Sequence, residues 1–345
     1  MPGFNLYTSN QQEELVKCLA WEVLETPLQN PLATELIVVQ HFGMQRWLSL
    51  ELTKRLDILG NTQFLFPNEF LNLLFENSVP AYQDLWKPDQ LHWLLFHQLL
   101  NLPGSPEFSL IKQYQGTKRE RNSFQLAKRL ADLFEHYDMF RPEMLDNWES
   151  NNDEHWQALL YRELPERIRD WRKSKVRQRF KDNLLMNQKV LQGFPERVTF
   201  FGISYLPPLH LETIRTLSQS VDVHYFFLNP SPYYWGDLLP QKKIIKESLK
   251  NQKRTKDELH LEEGNPLLAS WGKYGQSFFS ALYDLEISNE FDRFKKDESH
   301  SIGPVPLLQQ IQTDIFELIG PNREADTTDF SLSEGDDSLQ IHSSH

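Results

Sequence analysis

The residues best equipped for chemistry in this sequence follow an apolar run. After Leu36-Ile37-Val38-Val39 come Gln40, His41, Phe42, Gly43, Met44, Gln45, Arg46 and Trp47. Apolar run, single glycine and amphipathic continuation read as strand, turn and helix. In nucleotide-driven motors such a turn holds a phosphate-binding loop. That loop supplies close backbone N–H groups, a lysine for the β- and γ-phosphates and a hydroxyl for Mg²⁺. Here the second glycine, the lysine and the hydroxyl are absent, and Phe42 and Met44 would crowd a triphosphate. A motor also needs a carboxylate at the end of a nearby strand. The candidate strand 198–204 ends Phe200-Phe201-Gly202-Ile203-Ser204, with neither Asp nor Glu. Two independent parts of the machinery are missing, so an ATPase-like fold in this chain is expected to be catalytically silent.

Other chemistry is thin. None of the histidines has HExxH spacing, and His92 and His97 are five apart, off the i, i+4 face that a metal pair prefers. Glu262-Glu263 and Asp336-Asp337 fall in loop-like sequence, and no cluster of carboxylates with a lysine marks a nuclease site. The single cysteine, Cys18, lies in an apolar run and reads as a packed thiol. One thiol forms neither an internal disulfide nor a multi-cysteine zinc site, which fits a reducing cytoplasm. The formal net charge is −12, so any nucleic-acid contact must come from local clusters. The strongest cluster is 162–181, with nine Lys/Arg against three Asp/Glu. It reads either as a solvated helix face or as a phosphate track through Arg169, Arg172, Lys173, Lys175, Arg177 and Arg179. No 18-residue apolar stretch or export signal is visible, so no membrane partner is expected.

The elements that must position these residues follow from the apolar pattern. Residues 4–8 read as a strand, with Ser9 or Asn10 capping a helix to about Glu25. Pro27 and Pro31 bracket a loop before strand 36–40, turn 41–43 and a helix from Met44 to Leu56. A helix over 69–77 follows Pro67. From 80 to 190 the pattern is helical: 91–96, 124–137, Pro142 to Trp148, and 154–171. Strand 198–204, a helix from Pro207-Pro208 to about Ser218 and strand 221–228 make a β-α-β unit with parallel strands. Residues 241–263 read as an exposed loop, with helices near 266–285 and 305–319. The segment 321–338, with one basic and six acidic residues, reads as a solvated linker. Alternation begins at Leu339-Gln340-Ile341 and stops, so the chain reads as truncated at the start of a further domain.

Several runs then resemble one family. They are Ile37-Val38-Val39-Gln40 with Gly43-Met44-Gln45-Arg46-Trp47-Leu48, and Ala131-Asp132-Leu133-Phe134 with Tyr137 and Phe140-Arg141-Pro142. Phe201-Gly202-Ile203-Ser204-Tyr205-Leu206-Pro207-Pro208 follows. Leu228-Asn229-Pro230 with Tyr233-Tyr234-Trp235-Gly236-Asp237, and the ten-residue run from Gly264 to Lys273, complete the set. In order, across nearly the whole chain, they resemble the N-terminal portion of the RecC family, the gamma subunit of exodeoxyribonuclease V (the RecBCD helicase–nuclease). The resemblance implies an α/β fold, an inactivated superfamily 1 helicase-like (P-loop NTPase-like) parallel-sheet domain. It would comprise 1–78 and 196–330, with a mostly helical insertion at 79–195, and 331–345 as linker and start of the next domain. It implies a bacterial cytoplasmic protein of double-strand break repair and recombination, non-catalytic itself, with no cofactor of its own. ATP and Mg²⁺ would be held by RecB-like and RecD-like partners in a heterotrimer. The implied role is to scan single-stranded DNA leaving a duplex end for the Chi sequence.

Under that resemblance, the turn at 40–46 can admit a base where a motor admits phosphate. Gln40 offers donor and acceptor, Phe42 a stacking face, and Arg46 a hydrogen-bonding fork for a guanine edge or phosphate. The family implies further Chi-scanning positions at Asp132, Leu133, Glu135 and Arg141, and Lys173 joins them from the basic stretch. Each has a structural alternative. Leu133 suits a core, Asp132 suits an i−4 pair with Lys128, Arg141 suits a helix cap, and Gln40 suits backbone groups at a strand end. A purely structural alternative assigns Trp235, Tyr233, Tyr234 and Trp271 to gripping RecB and RecD without base reading.

Overall fold

The computed structural model describes residues 2–30, 32–150, 153–186, 191, 193–239, 264–296, 306–320 and 338–339. The loop expected at 241–263, the linker at 321–337 and the strand start at 340–341 lie outside the described residues. Strand β1 (Gly3–Ser9) and strand β4 (Arg197–Phe201) are buried along their whole length. Strand β5 (Asp222–Leu228) is buried except at its ends, and β2 (Glu35–Val39) except at Glu35. Continuous apolar runs of this kind belong to parallel sheets covered on both faces. The sheet order is β3-β2-β4-β5-β1-β6, with every pairing parallel. The α/β parallel-sheet class expected from sequence is therefore the one observed.

Two strands escaped the sequence reading, β3 (Thr62–Leu65) and β6 (Asn289–Asp292), and both are sheet edges. Half-exposed edge strands carry too few apolar residues to declare themselves. Helices α1 (Gln12–Glu25) and α2 (Phe42–Leu56) cover one face. Their Leu15, Val16, Leu19, Leu48 and Leu52 pack with Tyr7, Ile37, Val39, Phe201 and Phe226. At the amino end of the sheet, buried Arg197 donates to the Glu35 carboxylate, the Thr26 hydroxyl and the carbonyls of Glu22 and Thr26. One guanidinium thereby ties β4, β2 and the carboxyl end of α1.

Helix α1 starts differently from expectation. Neither Ser9 nor Asn10 is its cap residue; Gln11 is, without a side-chain cap bond. Ser9 Oγ accepts the Gln11 N–H at 3.0 Å, and Asn10 is bonded to Lys295.

The remaining helices are α3 (Pro67–Ser78), α4 (Pro88–Leu100), α5 (Ser109–Gln115), α6 (Arg119–Phe140), α7 (Pro142–Ser150), α8 (Trp156–Arg162), α9 (Glu166–Arg169), α10 (Lys173–Met186), α11 (Pro208–Leu217), α12 (Pro266–Ser270), α13 (Lys273–Tyr283) and α14 (Leu307–Phe316). The helix expected over 154–171 is broken at Pro165, which has no N–H to give and disfavours helix at Leu164. The helix expected over 266–285 is split at Gly272, where a Cβ would lie 2.4 Å from the Leu268 carbonyl oxygen. Helix α13 covers the second face of the sheet, Phe278 against Tyr225 and Phe279 against Phe227.

The chain divides into two units, the described residues of 1–66, 195–206 and 221–345, and those of 67–194 and 207–220. The expected boundary at 78/79 thus moves to 66/67, and α11 leaves the sheet unit for the helical one. The reasons are contacts within the helical unit. Phe75 of α3 packs on Phe180 of α10, and Glu212 of α11 pairs with Arg177 at 2.9 Å. The core of the helical unit is Leu91, Leu95 and Leu99 of α4 against Ala127, Leu130, Ala131 and Phe134 of α6, closed by Trp86, Trp148 and Tyr161.

His210 of α11 is buried in this unit with both ring nitrogens unpartnered among the described residues. Burial, with the Lys173 ammonium nearby, pushes its pKa from 6.5 down to about 3. Below pH 6.5 the unfolded chain gains a proton that the folded chain refuses, so stability falls on acidification through that window. Going from about pH 7 to pH 5 should cost the helical unit ~2 kcal/mol from this residue. In denaturant titrations at both pH values, His210→Phe should lose less stability over that interval than the wild type by about that amount.

Candidate nucleic-acid interface

All six strands run the same way, so the turns that follow them gather on one edge. The chain leaves β2 toward β3 and β4 toward β5, in opposite directions along the sheet. Ligands of open α/β sheets enter at such divergences, outside the carboxyl ends of the strands. Gln40, the first residue after β2, is exposed. Phe42 is 74% exposed, its ring held edge-on by Phe66 at 4.8 Å. Arg46, one turn into α2, is exposed and forms no ion pair among the described residues. Gln40 precedes α2, Phe42 opens it and Arg46 starts its second turn, and neither the Gln40 nor the Arg46 side chain forms a hydrogen bond among the described residues.

The backbone of that turn is not free. His41 is the cap of α2, its Nδ1 accepting the Met44 N–H at 3.1 Å while its carbonyl accepts the Gln45 N–H at 3.1 Å. The cap takes up the Met44 N–H, and the Gln45 N–H makes the first regular bond of the helix. The glycine serves the cap, because a Cβ on Gly43 would lie 3.0 Å from His41 Nδ1.

The sheet has a second divergence, which sequence reading missed. The chain leaves β1 toward β2 and β5 toward β6, with α1 and α13 on opposite faces. At the carboxyl ends of β1 and β5 lies a cavity of about 330 Å³, lined by Asn10, Gln11, Pro230, Lys295, Lys296 and Gln309 among others. The β1–α1 turn, Ser9-Asn10-Gln11, has no glycine and no lysine. Lys295 is bonded to Glu14 at 2.7 Å and Lys296 to Glu317 at 2.7 Å. This turn, like the one after β2, offers no phosphate cradle. The only sequence signal was the β-to-α transition at 8–12.

The other candidates belong to the helical unit. Asp132 on α6 is exposed and does not pair with Lys128, so the structural alternative for it is not formed. Leu133 packs half-buried against the helical core. Arg141 is exposed, while its backbone N–H closes α6 onto the Tyr137 carbonyl at 2.8 Å. Glu135 and Lys173 bond each other at 3.3 Å, and Lys173 is only 5% exposed.

Lys173 is therefore buried against a carboxylate, and several other cations of the basic stretch are paired within the unit. Arg172 is fully buried between Asp138 and Asp146. Lys175 pairs with Glu149 at 2.8 Å and Arg169 with the same carboxylate at 3.8 Å. Arg177 pairs with Glu212, and Arg179 lies over the Trp171 ring at 5.0 Å. Burial drives the Asp138 carboxyl above its ordinary range despite Arg172 and Ser174. Burial acts likewise on Glu149, but hydrogen bonds from Lys175 and Tyr161 outweigh it and hold that carboxyl low. Most of the stretch's charge is thus engaged within the helical unit, with Arg172 and Lys173 buried and Arg167 and Lys181 exposed.

Of the aromatic anchors, Trp235 is corrected. It is 4% exposed, stacked on Phe279 at 4.9 Å, and its indole N–H donates to Asn229 Oδ1 at 2.9 Å. Trp271, at 83% exposed, is open, as are Tyr233 and Tyr234. Among the described residues no cluster of His, Cys, Asp or Glu could hold a metal, and no helix is long and apolar enough to cross a membrane.

Residues 4–318 match the family model described as RecC, N-terminal domain. The chain belongs to the RecC family. It is 30% identical to the RecBCD enzyme subunit RecC of Escherichia coli K12, over 91% of this chain and 30% of that protein. It is 27% identical to the Haemophilus influenzae subunit of the same name, over 99% of this chain and 35% of that protein. With the RecC of Mycolicibacterium smegmatis the identity is 28%, over 99% of this chain and 30% of that protein. The chain thus spans about a third of the length of these RecC relatives.

Neither turn carries a phosphate-binding lysine, and one N–H of each is taken by the chain's own side chain, so Mg–ATP should find no site. At about 1 mM ligand, a site with a Kd of about 10 µM would add ~2.7 kcal/mol of stability. Thermal melts with and without Mg–ATP should superimpose.

Proposed function

We propose that the chain is the N-terminal part of a non-catalytic RecC-type subunit that scans unwound single-stranded DNA for Chi. In this reading it acts in double-strand break repair and recombination, within a heterotrimer whose RecB-like and RecD-like subunits hold ATP and Mg²⁺. The observation that carries the reading is the turn after β2. There Gln40, Phe42 and Arg46 are exposed on the edge where α/β sheets take ligands, and the Gln40 and Arg46 side chains form no hydrogen bond or ion pair among the described residues. An amide reads base edges, a ring stacks on bases, and a guanidinium takes a guanine edge or a phosphate. In the helical unit, exposed Asp132 and Arg141 support the same reading, whereas Glu135 and Lys173, bonded to each other, support it less.

A scaffold reading is favoured by a different observation, the exposed Trp271, Tyr274, Tyr233 and Tyr234 of the sheet unit. Aromatic residues of this kind anchor protein interfaces.

The test uses the full-length subunit assembled with its partners. Gln40→Ala and Arg141→Ala should each lower Chi-dependent response by about 5- to 100-fold, the discrimination carried by one good base contact. Unwinding rate and assembly should stay at wild-type values. A full Chi response in both variants, with assembly intact, sinks the scanning role and leaves the scaffold.

A further inference from the structure

Within the helical unit, the end of α4 and the start of α8 enclose a groove of about 670 Å³ that the scanning reading does not use. Its floor is apolar: Phe108 and Leu160 are buried there, and Leu102 and Leu159 are half-buried beside them. Its rim is acidic. Glu107, Glu154 and Glu163 line it, and none of the three is ion-paired among the described residues. The only titratable cation on the rim is His97, which faces Asn101 at 3.4 Å.

The carbonyls of the last turn of α4 are already taken by donors of the chain: Asn101 bonds those of His97 and Gln98, Gln115 that of Leu99, and Arg119 that of Leu100. The charge open to an occupant is therefore that of the rim carboxylates. An apolar floor and a negative rim together describe an occupant with apolar side chains and positive charge.

The contrast with the rest of the unit sharpens this. Glu135, Glu149, Asp138 and Asp146 each hold an Arg or Lys of the 169–177 stretch. The three exposed carboxylates on the groove rim hold none among the described residues, so their charge is open to a cationic occupant.

We propose that this groove docks a basic, amphipathic segment of a partner protein, with leucine-like side chains on the floor and Lys or Arg against Glu107, Glu154 and Glu163. The surface is a protein-binding one, distinct from the turn proposed to meet DNA.

The probe is a labelled eight-residue peptide of alternating leucine and arginine, titrated with the purified chain by fluorescence anisotropy. The triple variant Glu107→Lys, Glu154→Lys, Glu163→Lys should bind it at least about tenfold more weakly, as expected for reversed rim charges. Leu159→Asp should do the same from the floor. Because the whole chain is acidic, the matched control is Glu13→Lys, Glu25→Lys, Glu76→Lys, which carries the same charge change at exposed positions outside the groove. This control should keep most of the affinity. Equal weakening by both triple variants means diffuse electrostatics and overturns the proposal. So does binding that survives the groove triple variant when circular dichroism shows it folded. A concentration-dependent dimer of the wild-type chain that the groove variant abolishes would assign the groove to a second copy, and also overturns it. Should Leu159→Asp fail to fold, the rim variant, which alters exposed carboxylates only, decides alone.

Discussion

In a parallel sheet covered on both faces, polar side chains along the strands are spent on the chain's own groups, and a ligand can be met only at the ends. That constraint organises the sheet unit. From Gly3 to Ser9 and from Arg197 to Phe201 every residue is buried, so a side chain able to meet a ligand must come from a turn. Turns at the carboxyl edge begin helices, and the first N–H groups of a helix need partners. An incoming anion and the chain's own side chains compete for them. Here the chain supplies the partner, His41 at α2 and Ser9 at the residue before α1. What the edge then presents is a set of side-chain tips rather than a cradle of backbone amides. Such tips discriminate between bases better than they hold phosphates.

The helical unit obeys a second accounting, that of charge. A buried cation is tolerated only beside carboxylates and hydrogen-bond acceptors. Arg172, Lys173 and Lys175 are drawn inward by carboxylates on α6 and α7, and Arg177 by one on α11. A run that is the most positive in the sequence therefore contributes little positive surface. The cations that stay available are isolated ones, Arg46 and Arg141 among them, whereas the rim between α4 and α8 is left negative.

What the sequence disclosed follows from these two constraints. Largely apolar runs marked the central strands, and the strand–turn–helix order read at 36–48 is the one observed for β2 and α2. The edge strands β3 and β6, spelled TQFL and NEFD, lack any periodic signal because only part of each is covered. The inward turn of Lys173 was illegible for another reason. Its partner Glu135 is 38 positions away on a different helix, and no local pattern reports which of two oppositely charged stretches will meet. The assignment of α3 and α11 to the helical unit is of the same kind, decided by Phe180 and Arg177 rather than by anything in their own sequences. His41 as a helix cap was readable in principle, being the residue just before α2, but imidazole is not among the usual capping groups.

The register of β1 has a temporal consequence. Its Gly3 lies beside Asp222 and its Asn5 beside Asn289. The strand must therefore wait for its first neighbour until more than 200 further residues have been made, and for the second until more than 280. At about 5–20 residues per second the wait for both lasts roughly 15–60 seconds. Through that interval a strand that ends up buried along its whole length has no native edge to join, while the helical unit, encoded between β1 and β5, can already close on itself. This is the stage at which ribosome-associated chaperones would have most to shield.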